Sequence, residues 1–307
     1  MAEDRPLVWL PFDPAELGDP PTGLRYETVV ATADHVPVSA REVEFYVPSY
    51  ELGAGQGAVF ARMPRLKVVQ TLSAGVDNVR DEVPDGVLLC NGRGIHNAST
   101  AELALTLTLA SLRGVPGFVR DQDQGRWHPG WRVSLADRTV LVLGYGDIGR
   151  DIERRLVPFE VDVIRVARTA RDGVHPLADL PDLLPRADVV ILIIPGTSET
   201  RGLVDAEFLA AMKDGALLVN VARGSVVVTD DLVAVLRSRR LWAALDVTDP
   251  EPLPPDHPLW TAPQVLITPH VGGATPAMWP RAYRLVREQL ARFAAGEPLA
   301  NVMTGEY

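Results

Sequence analysis

Three polar side chains in the last third of this 307-residue chain stand at or just past the ends of short apolar runs. Arg223 follows Leu218-Val219-Asn220-Val221-Ala222, Glu251 follows Asp246-Val247-Thr248-Asp249-Pro250, and His270 follows Leu266-Ile267-Thr268-Pro269. Open parallel sheets bind ligands outside the carboxyl ends of their strands, which is where these residues fall. An arginine there offers a rigid fork suited to a carboxylate, a histidine titrates near neutral pH, and a carboxylate beside the histidine can hold it protonated. As a set they suit acid-base chemistry on an anionic substrate. Singly, each has a plainer use: the arginine in a surface salt bridge, the glutamate solvating a Pro-Glu-Pro loop, the histidine packing in a core or turn.

A cofactor element stands near mid-chain. Gly144-Tyr145-Gly146-Asp147-Ile148-Gly149 directly follows the apolar run Val140-Leu141-Val142-Leu143. In such a motif the first glycine permits a tight turn out of a strand, the second lets backbone approach a pyrophosphate, and the third lets the next helix pack closely on the sheet. The first-turn amides of that helix then face the phosphates. Similar turns also occur in methyltransferases and in loops that bind nothing, so the neighbouring elements decide. An S-adenosylmethionine enzyme built on the same loop leaves the three strand-end residues unexplained.

From residue 138 onward, β-branched runs at 140–143, 161–166, 188–194, 217–221, 243–246 and 265–268 alternate with helical stretches. Near-continuous apolar strands imply a sheet covered on both faces, and this alternation predicts a parallel doubly wound sheet. The N-terminal region repeats the style less clearly, with candidate strands at 7–10, 27–31, 66–70 and 87–90, and predicts a smaller α/β domain. Ser99-Thr100-Ala101-Glu102 matches a capping box and predicts a helix starting there, apolar nearly all round and so buried between domains or subunits. A last helix over about 277–295 follows the sixth strand. The fold class predicted is α/β, with two Rossmann-like or flavodoxin-like domains. Residues 97–274 form a dinucleotide-binding domain inserted into a substrate domain of 1–96 plus 275–307.

Composition narrows the function classes. A formal charge of -10 opposes a general nucleic-acid binder, which needs a basic footprint. The single cysteine, Cys90, cannot form an intramolecular disulfide, and the N-terminus lacks the basic-then-apolar layout of a secretion signal; both fit a reducing cytoplasm. The longest apolar helical stretch, 103–112, is too short for a bilayer of about 30 Å, so no membrane partner is expected. No cluster has metal-ligand spacing, and His96 and His128 read as loop residues without a role.

Seven motifs, in order, resemble one family. They are Leu66-Lys67-Val68-Val69, Ser73-Ala74-Gly75-Val76-Asp77-Asn78, Thr100-Ala101-Glu102, the glycine turn, Val219-Asn220-Val221-Ala222-Arg223-Gly224, Ala244-Leu245-Asp246-Val247 with Glu251-Pro252-Leu253, and Thr268-Pro269-His270-Val271-Gly272-Gly273. Over roughly residues 60–275 the chain resembles the D-2-hydroxyacid dehydrogenases, and glyoxylate/hydroxypyruvate reductases in particular; the first 60 residues match loosely. The resemblance implies hydride transfer in a cleft between two domains. It puts His270 as general acid/base, Glu251 as its support, and Arg223 on the substrate carboxylate with the Ala74-Gly75-Val76 amides. It also implies cofactor contacts at the glycine turn, Pro195, Ala222 and Asp246, a pocket wall at Trp279, and a homodimer. Asp246 can equally serve as a strand-end cap, and Trp279 as a core tryptophan.

NAD-specific sites of this fold usually carry Asp or Glu at the end of the second strand, to hydrogen-bond the ribose 2'-hydroxyl. Here that position is Ala167, followed by Arg168, Thr169 and, slightly further on, Arg171. Loss of the acid removes repulsion toward a 2'-phosphate, and an arginine and a hydroxyl supply donors, so NADP(H) is expected over NAD(H). The expected partner is a small 2-keto or 2-hydroxy acid. Two alternatives stand beside this reading. One is a dinucleotide-sensing, corepressor-like binding protein, and the other a dehydrogenase for a bulkier or phosphorylated 2-hydroxy acid.

Overall fold

The computed structural model describes residues 5–50 and 55–305. The chain divides into two compact units: one runs to His96 and resumes at Pro276, and the other is Asn97–Thr275.

The first unit contains β1 (Leu7–Leu10), β2 (Arg25–Thr28), β3 (Val43–Tyr46), β4 (Val68–Gln70) and β5 (Leu88–Cys90), with a short helix α1 (Gln56–Phe60). The strands form one parallel sheet in the order β2-β1-β3-β4-β5, the flavodoxin-like arrangement. Two expectations are corrected here. The second strand starts at Arg25 and ends at Thr28, earlier than 27–31. The strand β3, central to the sheet, is absent from the sequence reading because Glu44 interrupts its apolar run. That carboxylate is buried, and Lys67 (2.7 Å) and Arg65 (2.9 Å) pair with it from the surface.

The second unit opens with α2 (Asn97–Leu112) and α3 (Val115–Asp123). It continues through β6 (Thr139–Leu143), α4 (Asp147–Leu156), β7 (Asp162–Ala167), β8 (His175–Pro176), α5 (Leu180–Leu183), β9 (Val189–Leu192), α6 (Ala206–Ala211), β10 (Leu217–Asn220), α7 (Thr229–Arg237), β11 (Trp242–Leu245) and β12 (Val265–Ile267). All seven strands are parallel in the order β12-β11-β10-β9-β6-β7-β8, a doubly wound sheet whose order reverses beside β6. The two-residue β8 is too short to leave a sequence pattern. Both faces are covered: Leu141, Leu143, Val190, Leu192 and Leu218 pack on one side, and Val140, Val142, Val189, Ile191 and Val219 on the other.

The helix α2 begins two residues before the expected capping box. Ser99 and Thr100 lie inside it, and their hydroxyls turn to Thr275 Oγ1 (2.6 Å) and the Gly272 carbonyl (3.4 Å) instead of capping the first turn. Ala101, Ala104, Leu105 and Leu107 pack in the core it shares with α4, β10 and β11 of its own unit, while Leu103, Leu109 and Leu112 are only partly buried. The last helix, α8 (Met278–Ala295), returns to the first unit, where Met278, Ala282, Val286 and Leu290 join Val8, Leu10, Phe45 and Val68 in the core.

Candidate active site

The three strand-end residues are held at the carboxyl edge of the second unit's sheet by backbone constraints that glycine and buried side chains supply. Arg223 lies just past β10 in a turn braced by Asn220, a fully buried side chain whose Oδ1 accepts from the Ala222 amide (3.0 Å) and whose Nδ2 donates to the Arg223 carbonyl (2.9 Å). At Gly224 an added Cβ would sit 1.9 Å from the Thr248 carbonyl oxygen, so only glycine lets this turn lie against the segment leading to Glu251.

His270 has a left-handed backbone, φ 52°, which persists at a non-glycine residue only where surroundings over-determine it. Asp246, buried at the end of β11, does so. Its Oδ1 accepts from Thr268 Oγ1 (2.6 Å) and the Val271 amide (2.9 Å), its Oδ2 from the Gly272 amide (2.9 Å), and its carbonyl from the His270 amide (2.7 Å). The imidazole then meets Glu251, with Nδ1 hydrogen-bonded to Oε1. Among the described residues nothing hydrogen-bonds Nε2.

Charge follows from this geometry. The hydrogen bond to Glu251 raises the His270 pKa above its ordinary value, while burial and the nearby Arg223 charge work against the rise. Burial pushes the Glu251 carboxyl up, but the hydrogen bond and charge of His270 outweigh it and hold the carboxyl below its usual range. A protonated imidazole facing a carboxylate, with a guanidinium within electrostatic reach, can bind an anion and deliver a proton to an adjacent oxygen.

The glycine turn fits a dinucleotide. An added Cβ would lie 2.3 Å from the Ile193 carbonyl oxygen at Gly144 and 2.2 Å from the Gly144 carbonyl oxygen at Gly149, while at Gly146 it would meet nothing within 4 Å. The first and third glycines therefore close the turn, and the second leaves room above it for a phosphate. The helix α4 starts at Asp147, whose side chain pairs with Arg150 on the surface, and Ile148 packs partly into the core. Tyr145 donates its hydroxyl to Glu153, which also pairs with Arg165, and both Arg165 and Arg171 lie 5.8 Å from the Tyr145 ring centroid. Arg171 also donates to the Tyr145 carbonyl.

Arg168 and Thr169 are exposed just beyond β7, and among the described residues no carboxylate pairs with Arg168. Pro195 follows β9, with its carbonyl held by Thr200 Oγ1 (2.6 Å), and Ala222 is buried beyond β10. The structure thus gathers the glycine turn, Arg168, Thr169, Pro195, Ala222, Arg223, Asp246, Glu251 and His270 at one edge of one sheet.

Ala74, Gly75, Val76 and Trp279 belong to the first unit. Trp279 is half-exposed and stacks on Tyr283 at 5.7 Å, with Phe12 edge-on at 6.5 Å, an aromatic cluster of that unit. The loop around Ala74 is braced by His96, which is buried and not an idle loop residue; its Nε2 lies 2.8 Å from the Leu72 carbonyl oxygen. Nothing in the spacing around His96 or Asn220 announces these roles. Among the described residues no group of His, Cys, Asp and Glu is placed to hold a metal, and no helix is long and apolar enough to cross a membrane.

The profile of the D-isomer specific 2-hydroxyacid dehydrogenase NAD binding domain matches residues 105–272. The chain is 35% identical over 248 residues to the glyoxylate reductase/hydroxypyruvate reductase of Homo sapiens, covering 76% of each. It superposes with a TM-score of 0.83 and 35% identity on a D-isomer specific 2-hydroxyacid dehydrogenase from Xanthobacter autotrophicus in complex with NADPH and MES, covering 98% of both chains. An NADPH-dependent glyoxylate/hydroxypyruvate reductase from Sinorhizobium meliloti, in complex with NADP and malonate, gives 0.80 at 29% identity over 99% of this chain and 98% of that one.

Proposed function

The chain belongs to the D-isomer specific 2-hydroxyacid dehydrogenase family and is an NAD(P)-dependent oxidoreductase, and we propose that it reduces a small 2-keto acid of the glyoxylate or hydroxypyruvate kind, preferring NADP(H). The observation that carries this reading is the His270–Glu251 pair, with Nδ1 committed to the carboxylate and Nε2 unclaimed. The reduced nicotinamide supplies a hydride to the keto carbon when bound. Nε2 of His270 gives its proton to the carbonyl oxygen as that oxygen gains charge, so a keto acid becomes a 2-hydroxy acid and the imidazole is reprotonated from water. Glu251 keeps the ring charged and oriented, and Arg223 pairs with the carboxylate and polarises the ketone. The amides of Ala74, Gly75 and Val76 are further donors to that carboxylate, and Trp279 belongs to the wall of the substrate pocket.

The cofactor preference rests on Ala167, where a carboxylate would oppose a 2'-phosphate, and on exposed Arg168 and Thr169 beside it. The relatives named glyoxylate reductase/hydroxypyruvate reductase and the neighbours bound to NADPH or NADP support this reading, whereas the D-3-phosphoglycerate dehydrogenases among the relatives favour the phosphorylated alternative. Asp246 is read as a nicotinamide contact, residues 97–274 as the dinucleotide-binding domain, and residues 1–96 plus 275–307 as the substrate domain. The working form is a homodimer without nucleic-acid partners in a reducing cytoplasm. Trp127 and Trp131, 93% and 100% exposed, with the exposed Phe118 and Val119 of α3, are the residues a second copy would cover.

One panel tests the function: oxidation of NADPH and of NADH with glyoxylate, hydroxypyruvate, pyruvate, phenylpyruvate and branched 2-keto acids. Highest kcat/KM with the two small acids and NADPH is expected. Best turnover with a bulky or phosphorylated acid, or with NADH, overturns the corresponding half of the reading.

A further inference from the structure

The loop from Leu72 to Val76 has an unusual division of its polar groups. Every carbonyl from Leu72 to Gly75 is tied inward. The Leu72 carbonyl meets His96 Nε2 at 2.8 Å, and the Ser73 carbonyl accepts from Thr71 Oγ1 (2.9 Å) and the Gly92 amide (2.7 Å). The Ala74 carbonyl accepts from Asn91 Nδ2 (3.0 Å), and the Gly75 carbonyl from Ser73 Oγ (2.8 Å). Among the described residues, none accepts from the amides of Ala74, Gly75 or Val76. Consecutive amides with no intramolecular acceptor form a concavity suited to an anion, and fixing the carbonyls fixes where the amides point.

The brace itself is buried. Thr71 and Asn91 are fully enclosed, and His96 is nearly so. At Gly92 an added Cβ would come 2.6 Å from the Leu72 carbonyl oxygen, so the backbone carrying Asn91 and leading to His96 runs hard against the loop. Since the Leu72 oxygen can only accept, His96 must carry its proton on Nε2.

We propose that His96 is a positioning residue for substrate binding: its Nε2–H holds the Leu72 carbonyl so that the Ala74, Gly75 and Val76 amides stay preorganised for the substrate carboxylate. This rests on the proposed 2-keto acid reductase reading. It assigns His96 no contact with the reacting atoms, so it acts on binding more than on the chemical step.

The test compares His96→Leu, His96→Gln and Ser73→Ala with the parent enzyme. It measures kcat and KM for hydroxypyruvate, the inhibition constant of oxamate, NADPH binding by fluorescence, and thermal unfolding. His96→Leu removes the donor and should raise KM and the oxamate constant about tenfold, with kcat changed by less than about threefold. His96→Gln, whose amide can reach the same carbonyl, should recover most of that loss. Ser73→Ala removes one hydroxyl from a partly exposed position and should raise both constants about threefold, even if the Leu variant folds poorly. NADPH binding should be unchanged throughout.

Unchanged KM and oxamate constants in both His96→Leu and Ser73→Ala overturn the proposal, as does a Gln variant no better than Leu. An Arg223→Gln control separates the layers. If it weakens oxamate while the loop variants do not, only the brace is wrong; if it also leaves oxamate untouched, the reductase reading fails with it.

Discussion

Gly224 and Thr248 touch so closely that a single methyl group would not fit between them: a Cβ at Gly224 would lie 1.9 Å from the Thr248 carbonyl oxygen and 2.1 Å from its carbonyl carbon. Both neighbours are backbone, so nothing can swing aside. Gly224→Ala should therefore separate the Arg223 turn from the segment bearing Glu251. A fall in kcat/KM of at least about a hundredfold, with a stability loss of about 1–3 kcal/mol, is expected from kinetics and denaturant unfolding.

The His270–Glu251 pair sets a pH signature. In the proposed mechanism keto acid reduction needs the charged imidazole, so activity should hold at acid to neutral pH and fall as pH rises through the raised His270 pKa. Glu251→Gln removes the largest raising cause and should move that alkaline limb to lower pH, while His270→Ala should cut kcat about a thousandfold with cofactor binding intact. Stability follows the same signs. The pair contributes fully below the ordinary histidine value of 6.5 and fades as pH climbs through the raised one. On the acid side the contribution is present above the ordinary carboxyl value of 4.5 and fades as pH falls through the depressed Glu251 value. Rate profiles and unfolding curves across that range check both limbs.

Arg168→Ala should weaken NADPH about tenfold or more while leaving NADH nearly unchanged, because only the former carries the 2'-phosphate. Ala167→Asp adds the missing acid and should lower NADPH affinity further while helping NADH. Titration of adenosine 2',5'-bisphosphate against 5'-AMP by calorimetry reads the same contrast without turnover. Equal affinity of the parent for the two nucleotides would contradict the assignment.

If the proposed dimer uses this surface, Trp131→Ser with Trp127→Ser, which removes the two most exposed large apolar groups, should shift it to monomer in sedimentation experiments. Unfolding of the separated chain should remain cooperative, since α2 already packs inside its own unit.

Much of the second unit was legible because its strands are buried on both faces and so read as uninterrupted β-branched runs, and because the glycine turn tolerates few other sequences. The first unit was harder. A buried Glu44 paired with Lys67 and Arg65 hides the central strand β3, since the cations that pair with it lie outside the strand. The start of α2 was misplaced because a serine and a threonine that look like caps are spent on Thr275 and Gly272, over 170 residues away. His96 and Asn220 were silent for a related reason: each acts by holding backbone, and a side chain that braces a carbonyl or an amide leaves no spacing pattern.

Asp246 ties the end of β11 to the loop beyond β12, and those two strands are in direct register, Leu245 opposite Ile267. The loop bearing the proposed acid should therefore open only together with the strands it is tied to. The Val271 and Gly272 amides, although outside any strand, should exchange with deuterium on the timescale of the sheet, and opening them should require the edge of the sheet to open too. Substitutions in the β11–β12 core that loosen this edge would then act at a distance, by changing how often the histidine is in place instead of what it does there.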